Sequence, residues 1–267
     1  MLIDSHCHLD YLAEREPLDA ILARAWAAGV DAMLTISTRL ASFPQVLDIA
    51  ETDANIWCSV GVHPHEAQAE QNVDVARLIA LAAHPKVIGI GETGLDYHYM
   101  NSPKDVQKAV FRTHIRAARD SGLPLIVHAR EADADIGDIL EDEMGQGAFS
   151  GVMHCFSSSP ELARRCLEIG FYISISGIVT FNNAGELRAL VASLPLERIL
   201  VETDAPYLAP VPQRGRMNEP AFLPHTAACI ATVKNIETQD VERISSDNFK
   251  TLFGHPKAGH ERPSNRA

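Results

Sequence analysis

Ile3-Asp-Ser-His-Cys-His8 decides how the rest of the chain is read. Alternate residues of a strand share a face, so His6 and His8 point the same way from the end of a short apolar run. The arrangement recurs further along. Glu92 follows Val87-Ile-Gly-Ile-Gly91, His128 ends Leu125-Ile-Val-His128, His154 ends Gly151-Val-Met-His154, and Asp204 follows Ile199-Leu-Val-Glu-Thr203. Ligand-type residues spread over the whole chain, yet always at strand ends, predict a barrel with its site at one rim.

Working outward, eight apolar runs read as strands: 2–4, 32–36, 57–60, 87–90, 125–127, 151–154, 172–175 and 199–201. Helical patterns separate them. The segment 18–29 has apolar residues at helical spacing and closes on Gly29. Residues 106–121 carry Phe111, Ile115 and Ala118 on one face before Gly122, and 162–170 repeats the device. A last helix is expected over 240–253, with Ile244, Phe249, Leu252 and Phe253 turned inward. Alternating β and α with near-continuous apolar strands argues for a parallel sheet. No GxGxxG turn follows the first strand, which counts against a dinucleotide fold. The predicted fold class is therefore α/β: a single TIM-type (β/α)8 barrel with the metal site at the C-terminal rim of the strands. It should span 1–253, with a frayed polar tail over 254–267. A length of 267 residues suits this, since one such barrel takes roughly 250.

Composition narrows the function. Five cysteines, an odd number with no C-x-x-C pair, read as free thiols of a reducing compartment. No leader-like segment and no apolar stretch near about 18 residues is visible, so we expect a cytoplasmic protein without membrane or obligatory protein partners. The formal net charge of −12 argues against a basic groove for long duplex DNA. It leaves phosphodiester substrates open, because bound cations invert the local field.

Four imidazoles and two carboxylates converging on one spot suit borderline divalent cations. One cation would be held by His6, His8 and Asp204, a second by His128 and His154, with Glu92 bridging. Such a pair describes a two-metal hydrolase, in which Asp204 also takes a proton from attacking water. His63 and His65, in Gly61-Val-His-Pro-His65, face the same rim. They could contact a substrate phosphate, donate a proton to the leaving oxygen, or brace the site. Asp96 reads either as a group behind the ligands or as a loop cap. Glu202, one layer deeper than Asp204, reads either as a holder of a ligand histidine or as half of a core ion pair. Arg130 could bind a phosphate with both arms of its fork or simply start a helix, and Arg214 and Arg216 stand equally open. They lie in the long loop 204–224, which leaves the strand of Asp204 and should contact substrate. The other histidines, among them His114, read as surface or structural. Cys7 and Cys155 alternate away from the ligands and read as packing residues.

These motifs resemble the TatD family of metal-dependent deoxyribonucleases, in the amidohydrolase-like barrel superfamily. The matching stretches are Asp4-Ser-His-Cys-His-Leu-Asp10, Gly61-Val-His-Pro-His65, Ile90-Gly-Glu-Thr-Gly-Leu-Asp-Tyr97, Val127-His-Ala-Arg130, His154-Cys-Phe-Ser157, Val201-Glu-Thr-Asp-Ala-Pro-Tyr-Leu208 and Arg214-Gly-Arg-Met-Asn-Glu-Pro220. Asn248-Phe249 and Leu252-Phe253 complete the set. The resemblance implies a TIM-type barrel and 3′→5′ trimming of DNA, linked to repair or DNA breakdown. It also implies metal roles for His6, His8, Glu92, His128, His154 and Asp204, and makes His63 a site residue. Retention of the first histidine pair favours two divalent cations, whether Zn, Mn, Mg, Co, Fe or Ni. Ser158, where many relatives carry Gly, is a small departure. The expected partner is a nucleic acid, DNA ends or RNA. Two other readings stand beside it: a binuclear hydrolase of a small ester, lactone or amide, and a metal-stabilised scaffold.

Overall fold

Each apolar run becomes a strand in the computed structural model, which describes residues 1–254. The strands are β1 (Ile3–Cys7), β2 (Ala32–Thr35), β3 (Ile56–Val60), β4 (Val87–Asp96), β5 (Leu125–Arg130), β6 (Gly151–Met153), β7 (Tyr172–Ile175) and β8 (Ile199–Val201). They form one eight-stranded sheet in chain order, and the pairs with resolved register are parallel. Helices fall between successive strands. This is the TIM-type (β/α)8 barrel fold expected from the sequence. Among the described residues, no helix is long and apolar enough to cross a membrane. The tail expected over 254–267 lies, from 255 on, outside the described residues.

The chain divides into two compact units. One comprises Met1–Thr35, Thr52–Ile56 and the chain from Ser174 on. In it β1 pairs with β2 as Ile3↔Ala32 and Cys7↔Thr35, with a register shift between Asp4 and Cys7. The segment leaving β8 runs beside the end of β1: Asp204 N–H donates to the His6 carbonyl at 2.9 Å, and His8 N–H to that of Ala205 at 2.8 Å. The final helix, Thr238–Phe253, begins two residues before its expected start. It buries Val241, Phe249, Leu252 and Phe253, whereas Ile244 is only half-buried. Ser245 and Ser246 take the inward face there, and Ser246 Oγ donates to the Met1 carbonyl at 3.0 Å.

The other unit comprises Ile36–Glu51 and Trp57–Ile173. Its helix Lys104–Ser121 buries Phe111, Ile115 and Ala118, the face read from the spacing, and ends on Gly122 at φ 72°. β4 runs on to Asp96, well past its expected end at residue 90. Buried Gln107 accounts for the extension. Its Oε1 accepts from Asp96 N–H at 2.8 Å, and its Nε2 donates to the Asp96 and Ser102 carbonyls at 3.0 and 2.8 Å. The β4–β5 register shifts between Ile90 and Thr93, which brackets Glu92. Such bulges re-aim a side chain.

Candidate metal centre

In the first unit, His6 lies within β1 and His8 just beyond it, both buried, with ring centroids 5.2 Å apart. Asp204 Oδ1 is 3.8 Å from His6 Nε2 and 3.5 Å from His8 Nε2. Asp204 holds φ 56°, a conformation that short polar residues tolerate better than most. The turn presents the carboxylate to both imidazoles.

Asp4 lies behind this trio, wholly buried. Its Oδ2 accepts from Thr203 Oγ1 at 2.6 Å, and its Oδ1 accepts from the N–H groups of Thr203 (2.9 Å) and His6 (3.3 Å). Burial, opposed by these bonds, pushes its pKa up to about 7. Glu202 is also fully buried.

In the second unit, a single oxygen, Glu92 Oε1, faces three imidazoles. It is 2.8 Å from His154 Nε2, 3.0 Å from His128 Nδ1 and 3.5 Å from His63 Nε2. Burial alone would raise the Glu92 pKa, but His154, His63 and His128 outweigh it and hold the carboxyl well below its usual range. His128 Nε2 lies 3.3 Å from Asp96 Oδ2. A proton held there leaves a lone pair on Nδ1, aimed at Glu92 and, across 3.4 Å, at His154 Nε2. Two ring nitrogens that close together fit a shared proton or a cation. Burial lowers the His128 pKa, yet Asp96 and Glu92 raise it overall, and the same carboxylates favour a metal ion in the proton's place. The donor set, imidazole nitrogen and carboxylate oxygen, suits a borderline divalent cation.

His63 is set differently. Its Nδ1 accepts from His65 N–H at 3.1 Å, so the neutral ring carries its proton on Nε2, toward Glu92. Burial keeps its pKa well below the ordinary histidine value. Although His63, Glu92 and His128 lie close enough to hold an ion together, this tautomer makes His63 a donor rather than a ligand. His65 Nε2 lies 2.9 Å from Asp96 Oδ2. Asp96 also caps the loop that follows, its Oδ1 accepting from His98 N–H (3.0 Å) and Tyr99 N–H (2.9 Å).

A model of TatD-related DNases matches residues 3–254. The chain belongs to that family. It is 42% identical over 255 residues to YcfH of Escherichia coli K12, an uncharacterized metal-dependent hydrolase, with 94% of this chain and 95% of YcfH covered. It is 37% identical over 243 residues to the 3′-5′ ssDNA/RNA exonuclease TatD of Klebsiella pneumoniae, covering 88% and 91%. Among solved structures it is similar to YjjV, a TatD homologue of E. coli K12, with TM-score 0.83, 28% identity and coverage of 94% and 97%. As a TatD-family member the chain is a metal-dependent hydrolase.

The structure gathers the expected site residues within each unit: His6, His8 and Asp204 in one, His63, Glu92, His128 and His154 in the other. Asp4, Thr203 and Gln107 carry no spacing signal in the sequence that marks them as site residues. Asp4 was visible only as the first residue of a TatD-like stretch. Gln107 carries no signal, since a polar residue on an otherwise apolar helix face reads as an interruption.

Proposed function

We propose that this TatD-family chain is a two-metal nuclease that trims single-stranded or frayed DNA ends from the 3′ side, acting in the cytoplasm. The observation that carries the reading is Glu92 Oε1 facing His154 and His128, with Asp96 behind His128 to set its tautomer. The Klebsiella relative's name supports the choice of a nucleic-acid substrate, DNA or RNA. His6, His8 and Asp204 would hold one cation and His128 and His154 another, with Glu92 shared between them. Cations bound there supply Lewis acidity, making water more acidic and offsetting phosphodiester charge.

The side chains do the rest. Asp204, the least buried of the carboxylates described at these strand ends, accepts the proton that attacking water loses. His63, neutral with its proton on Nε2, offers that N–H as a hydrogen bond to the leaving oxygen. Asp4 and Asp96 hold the segments that carry the ligands.

The test uses one single-stranded oligonucleotide labelled at its 5′ or its 3′ end, incubated with Mg²⁺, Mn²⁺ or Zn²⁺ after chelation. A 5′-labelled ladder shortening from the 3′ end, with early release of the 3′ label, is the expected result. Intact strands with every metal, beside turnover of a lactone or small phosphate ester, would overturn the reading.

A further inference from the structure

Five aromatic residues lie within six positions after the strands of His6, Glu92, His154 and Asp204: Tyr11, Tyr97, Tyr99, Phe156 and Tyr207. Tyr11 is half-buried and stacked on the His8 ring at 5.1 Å. Phe156 is buried. Tyr97 donates its hydroxyl to Asp135 at 2.6 Å and has the Lys104 ammonium 4.0 Å from its ring centroid. Tyr99 and Tyr207 are 54% and 52% exposed. Tyr99 adds a cation to that exposure, because the Arg130 guanidinium lies 4.8 Å from its ring centroid.

This pair is anchored to the ligand strands of its own unit. Tyr99 N–H donates to Asp96 Oδ1 at 2.9 Å, and the other oxygen of that carboxylate faces His65 and His128. The Tyr99 ring stands edge-on to His65 at 5.3 Å and to His98 at 4.7 Å. Arg130 ends β5, two residues after His128. Arg24, Arg112, Arg119, Arg164 and Arg165 all sit in ion pairs. Among the described residues, no carboxylate pairs with Arg130. An exposed arginine left unpaired in a chain of net charge −12 is available for an anion from outside. A guanidinium against an aromatic ring keeps the N–H fork at its edge free for a phosphate.

We propose that Tyr99 and Arg130 form a clamp for one nucleotide of a single strand, Tyr99 stacking on the base and Arg130 taking the phosphate. The proposal rests on the nuclease reading and names the residues that choose its substrate. It also explains how a chain of net charge −12 holds a polyanion: the grip is local, one base and one phosphate.

The test measures binding before activity. Fluorescence anisotropy of a labelled single-stranded oligonucleotide is followed with chelated wild type, Tyr99→Ala, Tyr99→Trp, Arg130→Ala and Arg130→Lys. A strand with abasic 3′ positions is the control, and trimming is then assayed with Mn²⁺. Tyr99→Ala should weaken binding of the normal strand about tenfold, but that of the abasic strand by less than about threefold. Tyr99→Trp should restore the difference. Arg130→Ala should weaken both strands, and Arg130→Lys should recover them only in part. The lysine variant carries the test should Tyr99→Ala not fold. Wild-type binding and trimming with both alanine variants indistinguishable from it would overturn the clamp and leave the nuclease intact. Equal losses by Tyr99→Ala on normal and abasic strands would reduce Tyr99 to a structural role and also overturn the clamp. Wild type that neither binds nor trims would overturn both.

Discussion

Thr203 grips Asp4 twice, through its hydroxyl at 2.6 Å and its backbone N–H at 2.9 Å. Asp4 belongs to the strand of His6, and Thr203 immediately precedes Asp204. The pair ties together the ends of β1 and β8 that carry His6 and Asp204. Thr203→Val keeps the shape and removes the hydroxyl. It should cost about 1–3 kcal/mol, because a buried acceptor loses its partner. It should also weaken metal binding about tenfold, as outer partners of ligands generally do. Urea unfolding and metal titration measure the two effects separately. Wild-type values in both would deny the tie.

Asp96 stands behind His128 as Asp4 stands behind His6. Asp96→Asn leaves a side chain that can still accept from the Tyr99 N–H, but its bond to His128 no longer sets the tautomer. A fall in metal affinity of about 10- to 100-fold is expected, with little change in unfolding midpoint. Calorimetric titration with Mn²⁺ or Zn²⁺ checks it, and unchanged affinity would contradict the role.

Much of this was legible in the sequence. The eight apolar runs showed the strands, and histidines and carboxylates marked their ends, because burial demands particular residue types at particular spacings. The extension of β4 was not legible. Glu92-Thr-Gly-Leu-Asp96 has no apolar periodicity, and what keeps it extended is Gln107, on the helix that follows, together with close backbone approach to β5. Asp4 was equally hidden, since a carboxylate gripped by a hydroxyl has no spacing rule. Arg130 and Tyr99, 31 positions apart in sequence, meet only through the β4–β5 pairing.

Gly94 tests that close approach. It holds φ 139°, and a Cβ there would collide with the carbonyl of His128 on the neighbouring strand. Gly94→Ala should destabilise by several kcal/mol or displace His128. Gly122, at φ 72° with nothing near its missing Cβ, should cost only about 1 kcal/mol on the same change. Thermal unfolding of the two variants side by side decides it. Equal losses would deny the β4–β5 constraint.

His114 makes stability fall in acid. It is fully buried, accepting from Val62 N–H at 3.0 Å and bonded to the Val110 carbonyl at 2.8 Å. Burial holds its pKa at about 4, against an ordinary value of 6.5. As pH falls, the unfolded chain therefore takes the proton first. The contribution is complete above about 6.5 and is lost progressively toward 4. It amounts to about 3 kcal/mol. His114→Gln should lower stability at pH 7 yet flatten the slope between pH 6.5 and 4 in urea unfolding. Parallel slopes for wild type and variant would contradict the assignment.

The most direct test of the central claim counts ions and product together. Chelated protein is titrated with Mn²⁺, bound metal is read by native mass spectrometry, and shortening of a 5′-labelled single strand is followed in the same samples. The account predicts two bound ions per chain, trimming that appears as the second binds, and loss of trimming in Asp204→Asn. Two bound ions beside an intact strand, or full trimming by Asp204→Asn, would contradict it.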